Sequence, residues 1–194
     1  MSGIPRVVEA SLRQFQGAYS GYVEAPLRLG QLVAVRDGPA TVFGVVVDAE
    51  SGPEDPTRPL EARGAPGQLS SDVMDDEPEL RLLLRTRISV VTCGFVEGER
   101  VRATLPPTPP PLLGQVEPAT DDETVRLCSD GSFLGQLVAI PACDDAVIAA
   151  TIRSAATSFG IEARPFLVRA GKELARLLKA EPSRLTTILR GVGE

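Results

Sequence analysis

Residues 29–50, LGQLVAVRDGPATVFGVVVDAE, constrain the fold more than any other stretch. Two apolar runs, the second rich in β-branched residues, flank Asp37-Gly38, and glycine tolerates the positive φ of a tight hairpin turn. The pattern predicts paired strands over 31–36 and 40–49. A short strand is expected at RVVEA, 6–10. Another is expected over 79–92, where Leu84, Thr86, Ile88 and Val90 fall on one face at period two. A turn at EGER, 97–100, then leads into a strand at VRATL, 101–105. Residues 11–28, with Gly17, Tyr19, Gly21 and Tyr22, read as a loop leading into the first hairpin strand. The expected fold of residues 1–111 is therefore mainly β, a small closed barrel of about five or six strands, because closure removes exposed sheet edges.

Two segments interrupt this pattern. Residues 50–78 are rich in Pro, Gly and acidic groups and poor in large apolar side chains, so a long flexible acidic insertion is expected. Pro53, Pro56, Pro59 and Pro66 oppose regular ladder pairing there. Residues 106–111 hold five prolines and read as a stiff, extended strap leaving the barrel.

Residues 112–194 are expected to form an α/β or helical C-terminal region. QVEPA, 115–119, reads as a short strand, and Thr120 or Asp121 as the cap of a helical turn over DDETVRLC. SFLGQLVAIP reads as a further strand. Its Leu134-Gly-Gln-Leu-Val-Ala-Ile140 repeats Leu29-Gly-Gln-Leu-Val-Ala-Val35, but the flanking residues differ, so the repeat reads as one local solution found twice. Helices are expected near 145–159, capped by Asp144 or Asp145 with Val147, Ile148, Ile152, Ala155, Ala156 and Phe159 inward, near 171–180, and near 183–190. IEARPFLVRA, 161–170, reads as a short strand or extended link.

Composition narrows the chemistry. The chain has no His, which removes the commonest general base and zinc ligand. Cys93, Cys128 and Cys143 are widely spaced, odd in number and set in or beside apolar runs, so buried reduced thiols are expected rather than disulfides or a zinc site. No GxGxxG or GxSxG occurs, and Gly171-Lys172 is followed by Glu173, which excludes a Walker loop. Asp75, Asp76 and Glu77 lack the ligand spacing of an EF-hand and read as a solvated acidic loop. No catalytic residue, cofactor or metal is expected. No stretch approaches the roughly 18 apolar residues of a membrane span, and the N-terminus lacks a signal-peptide pattern. A cytoplasmic location away from membranes is expected.

Charge is segregated. The chain carries −6 overall, yet residues 50–79 hold nine acidic and two basic groups, net −7, and residues 153–190 hold eight basic and three acidic groups, net +5. The basic set, Arg153, Arg164, Arg169, Lys172, Arg176, Lys179, Arg184 and Arg190, is either a solvated helix face or a contact surface for an anionic partner.

The order of segments resembles the HAS barrel, the N-terminal barrel of HerA-type ATPases and ATP synthase subunits. The features carrying the likeness are Gly30 to Val35, Pro106 to Pro111, Gly114 to Ala119 and Leu134 to Leu137, within residues 5–140. The HerA version is the most similar. The resemblance implies a barrel that packs beside copies of itself in a ring and contacts partner proteins. The absence of a Walker loop departs from that family and implies the barrel without its motor. The expected function is a non-catalytic assembly or docking module, a homo-oligomer or one bound to a partner protein such as an ATPase or nucleic-acid-processing complex. Two alternatives stand beside it. One is a nucleic-acid binder using the barrel or the basic helices, which net acidity and scarce aromatics oppose. The other is an enzyme holding an anionic substrate on Arg81, Arg85 and Arg87.

Overall fold

The computed structural model describes residues 3–37, 40–98 and 100–193. Three strands form the spine of an antiparallel sheet: β3 (Leu32–Val35), β4 (Thr41–Pro53) and β5 (Leu84–Glu97). The expected hairpin is present as β3 and β4, paired from Leu32 with Val45 to Val35 with Val42; its turn residues Gly38 and Pro39, and Glu99 of the expected EGER turn, lie outside the described residues. β1 (Arg6–Ala10) and β2 (Gln14–Ala18) extend the sheet on one side and β7 (Val116–Pro118) on the other, in the order β1-β2-β5-β4-β3-β7, with β6 (Arg100–Arg102) paired to β5. The β4–β5 ladder runs from Thr41–Val96 to Pro53–Leu84. It shifts register between Phe43 and Gly44 and again between Val46 and Asp48. Such bulges bend a strand and increase its twist, which curls the sheet.

The curled sheet is an open half-barrel, which corrects the expectation of a closed one. β1 meets the segment before β7 through one isolated bridge, Arg6–Gln115, and three backbone hydrogen bonds: Val7 N–H to Gly114 O (2.9 Å), Leu113 N–H to Val7 O (2.7 Å) and Val116 N–H to Pro5 O (2.9 Å). Proline has no N–H, and Pro5, Pro111 and Pro118 bracket this seam, so a continuous ladder cannot form across it. Leu113 sits there at φ +65° with its side chain exposed.

β3 and the first half of β4, Val42 to Val46, are apolar and buried throughout because both faces of the sheet are covered there. Inside the curl, Val7, Phe15, Val33, Val46, Ile88 and Val116, from six different strands, fill the space together with Tyr19. On the outer face, Leu32, Ala34, Phe43, Val45, Val91 and Cys93 pack under a helical layer. That layer comprises α3 (Asp121–Cys128), α4 (Phe133–Val138), α5 (Asp145–Ser158), a 3-10 turn (Gly160–Glu162), α6 (Ala163–Leu177) and α7 (Pro182–Gly193). Thr120 caps α3 in a reciprocal capping box with Glu123, and Asp144 caps α5 by accepting from Val147 N–H at 2.8 Å.

Several expectations change. Residues 133–138 are helix, not strand: Phe133, Leu134 and Leu137 point into the outer core at helical spacing. Residues 163–170 are the start of α6, not an extended link, because Phe166, Ala170 and Leu174 form one buried stripe. Residues 14–18 are strand β2, with Phe15 buried between polar neighbours, where a loop was expected. The strand expected over 101–105 is confined to β6. The insertion is more ordered than its composition implies: β4 continues to Pro53, Ser70–Asp76 form α1 and Leu80–Leu83 form α2, while residues 54–69 form neither helix nor strand. Ion pairs Arg63–Glu77 and Arg81–Asp75 (3.0 Å) tie the insertion together, and Arg85–Glu54 (2.5 Å) ties it to β5. Among the described residues no helix is long and apolar enough to cross a membrane.

Candidate interaction surface

The eight cations singled out in the sequence lie on or beside α5, α6 and α7, and the fold divides them into two groups. Four have partners: three join separate elements and the fourth, Arg176, pairs within α6. Arg184 pairs with Asp145 at 2.7 Å and lies 3.7 Å from Glu181, tying α7 to the start of α5. Arg153 donates to the carbonyl of Gly191. The Arg169 Nε–H donates to the Ser129 carbonyl at 3.1 Å, and its guanidinium lies 6.0 Å over the Phe159 ring, which stacks on Phe166 at 4.3 Å. Arg176 grips Glu173 through two bonds of 3.0 and 2.5 Å, which lowers the Glu173 pKa and raises that of the guanidinium.

The other four, Arg164, Lys172, Lys179 and Arg190, are exposed and make no ion pair or side-chain hydrogen bond among the described residues. Their placement follows from helix geometry. Phe166, Ala170 and Leu174 face inward at intervals of four, so Arg164, Val168 and Lys172, at the same interval, form a stripe on the opposite side. Lys179 follows just beyond the end of α6. On α7, Ile188 is buried while Leu189 and Arg190 face out. The lack of a side chain at Gly171 lets α7 approach, and a Cβ there would lie 3.8 Å from Leu189 Cδ2. Two exposed apolar residues thus neighbour these cations: Val168 (52 % exposed) lies between Arg164 and Lys172 on the α6 stripe, and Leu189 (44 %) precedes Arg190 and reaches toward Gly171. Sequence reasoning missed both: reading 161–170 as extended hid the helical phase that places Val168 outside, and the last helix's apolar pattern puts Leu189 on an inner face with Leu185 and Ile188, whereas only Ile188 of the three is fully buried and Leu189 is exposed.

Arg36, at the end of β3, is held by Glu117 of β7 (2.5 Å) and Glu123 of α3 (2.7 Å). It lies beside a groove of about 690 Å³ lined by Ile4, Tyr19, Leu27 and Arg28. The Tyr19 hydroxyl accepts Leu27 N–H at 2.9 Å, and burial raises its pKa, so it stays protonated at neutral pH. A second groove of about 620 Å³, beside β2 and the β4 bulge, is lined by Glu9, Gln14, Gln16, Asp48 and Ser89. The three thiols are buried with pKa values raised by desolvation. Of the arginines considered for an anionic substrate, Arg81 and Arg85 are paired with Asp75 and Glu54. Among the described residues, no three His, Cys, Asp or Glu side chains converge as metal ligands.

What the α6–α7 face can do chemically is bind. Two guanidinium and two ammonium groups offer donors to carboxylate or phosphate, and the two apolar side chains add area that excludes water from those contacts. No protein-family model matches the chain, and no curated protein matches it.

Proposed function

We propose that this chain is a non-catalytic docking module that binds an anionic protein surface through α6 and α7. The observation carrying this reading is the set Arg164, Lys172, Lys179 and Arg190, unpaired around exposed Val168 and Leu189. A solvated face needs charge but not exposed apolar groups at its centre, whereas an interface combines an apolar centre with a polar rim. The filled interior of the curled sheet supports the same reading, since the side chains inside it leave the surface to act. The resemblance to HAS barrels, which work by contact with copies and partners, points the same way, and a HerA-type ATPase assembly is the kind of complex it suggests.

The four cations also favour a second reading, capture of nucleic acid. Against it stand the net charge of −6 and a face without an exposed aromatic for base stacking. Fluorescence anisotropy with a labelled polyglutamate peptide and a labelled oligonucleotide separates the two. The docking reading expects salt-sensitive peptide binding, weakened about tenfold or more in the variant R164E/K172E/K179E/R190E, with weaker oligonucleotide binding. Tight oligonucleotide binding with no peptide binding transfers the assignment to the second reading.

A further inference from the structure

We infer that the anionic partner of the α6–α7 face is the acidic arm, residues 48–83, of a second copy of this chain. The inference rests on the docking reading above and names its partner.

The two surfaces complement each other in charge and in apolar content. The arm contains the whole net −7 stretch of residues 50–79, and Glu50, Glu61 and Glu79 are exposed there without an ion pair among the described residues. It also exposes Leu60 (49 %), Leu69 (66 %), Leu82 (78 %) and Leu83 (56 %). Isolated exposed leucines are ordinary, but four within one short acidic segment are not. The face offers the reverse set: four free cations around Val168 and Leu189. The arm's described side-chain bonds stay within itself or reach β5; none reaches α6 or α7. No residue from 48 to 90 belongs to the core under the helices. Each surface is thus unsatisfied within its own molecule.

The two surfaces are different: met once per pair of copies, the contact is head-to-tail and repeats into a ring or an open chain, and met twice, reciprocally, it closes a two-fold dimer. Opposite charges on separate patches also orient the copies as they approach.

The test is a charge swap read by sedimentation velocity, between about 0.01 M salt, where exposed charges interact across tens of ångströms, and about 1 M, where they are screened. Three proteins are compared: wild type, the face variant R164E/K172E/K179E/R190E, and the arm variant E50K/E61K/E79K, each checked for native circular dichroism. Wild type is expected to associate into dimers or larger species at low salt, reversed at high salt. Each variant alone is expected to stay monomeric: in the face variant both patches are acidic and repel, and in the arm variant the 50–79 stretch falls from −7 to −1 and loses its attraction for the basic face. Their equimolar mixture is expected to reassociate, since each then carries the complement of the other. A monomeric wild type at low salt, an arm variant that associates like wild type, or a mixture that stays monomeric overturns the inference. Polyglutamate binding separates the two levels: if wild type binds the peptide yet does not self-associate, the copy-to-copy contact is wrong and docking stands. If it does neither, both fall.

Discussion

The guanidinium of Arg36 clasps the carboxylate of Glu123 through two hydrogen bonds, Nε to Oε1 at 3.2 Å and Nη2 to Oε2 at 2.7 Å. The same carboxylate accepts the Thr120 N–H at 2.8 Å, closing the capping box of α3. One charge pair therefore fixes the end of β3 to the start of the helical layer. Arg36→Met removes the cation and leaves Glu123, one-fifth exposed, without its strongest partner. Chemical denaturation is expected to show a loss of about 1–3 kcal/mol, the range for hydrogen bonds to charged groups.

The same pair predicts a pH dependence. Burial works to raise the Glu123 pKa, but the bonds from Arg36 and Thr120 and the attraction of Arg36 overcome it, and the carboxyl sits below its ordinary value. A carboxyl whose folded pKa is depressed contributes stability above its unfolded pKa and loses it as pH falls through the folded one. The difference between wild type and Arg36→Met is therefore expected to be full above about pH 5 and to shrink below about pH 4. A difference that stays constant down to about pH 3 contradicts this account of the pair.

The twice-used heptapeptide gives a paired prediction of opposite sign. In the first copy, Gly30 has φ +74°, and a Cβ there would lie 2.5 Å from the backbone of Ala150 and Thr151 in α5. Here the sheet touches a helix backbone directly. Gly30→Ala is expected to cost about 3–5 kcal/mol, combining left-handed strain and overpacking. In the second copy, Gly135 lies inside α4 with nothing nearer than Leu177 Cδ2 at 4.0 Å. Gly135→Ala is expected to stabilise by about 0.5–1 kcal/mol through helix propensity. Thermal melts of the two variants read both signs.

That heptapeptide also marks where the sequence stops being legible. LGQLVAV and LGQLVAI have nearly the same propensity, yet the first pairs on both sides as a central strand and the second coils over it. What decides is position. Residues 32–35 enter the sheet between β4 and β7, while 133–138 follow the Asp130–Ser132 turn and must cover Cys93 and Phe43. The β3–β4 hairpin and the period-two face of Leu84, Thr86, Ile88 and Val90 were readable because alternation and turn chemistry are local. The α6 stripe was not, since Pro165 interrupts the pattern where proline is in fact tolerated, in a helix's first turn. The eight cations could be named from sequence, but which four are free depends on Asp145, Glu173, Ser129 and Gly191, brought near them by the helix packing.

The three cysteines predict a chemical readout of global stability. Cys93, Cys128 and Cys143 are all sealed in the outer core between sheet and helices. Burial pushes Cys143 up to about 11, with nearby Asp144 adding to the effect, and raises the other two as well. Reaction needs an accessible thiolate. At pH 8 the folded chain is expected to react with Ellman's reagent at least about a thousandfold more slowly than the urea-unfolded chain, with all three thiols released together on unfolding. One fast-reacting thiol in the native chain would show that the helical layer opens separately from the sheet.

Two buried threonines on β5 should respond oppositely to the same substitution. Thr86 accepts the Val23 N–H at 2.9 Å and shares a hydrogen bond with Ser51 Oγ at 2.8 Å, fastening the 20–23 loop to the sheet. Replacing it by Val leaves a buried N–H without its acceptor, and Thr86→Val is expected to cost about 1–3 kcal/mol. Thr92 is equally buried, but its hydroxyl has no hydrogen-bond partner within the protein, while its N–H donates to the Arg13 carbonyl at 2.9 Å regardless of side chain. Thr92→Val keeps the shape and removes only the unpaired hydroxyl, so it is expected to be neutral or to stabilise by up to about 1–2 kcal/mol. Urea denaturation of both variants decides the point. If Thr92→Val costs as much as Thr86→Val, the Thr92 hydroxyl has a partner in solution, and the sheet around the Phe43–Gly44 bulge admits one.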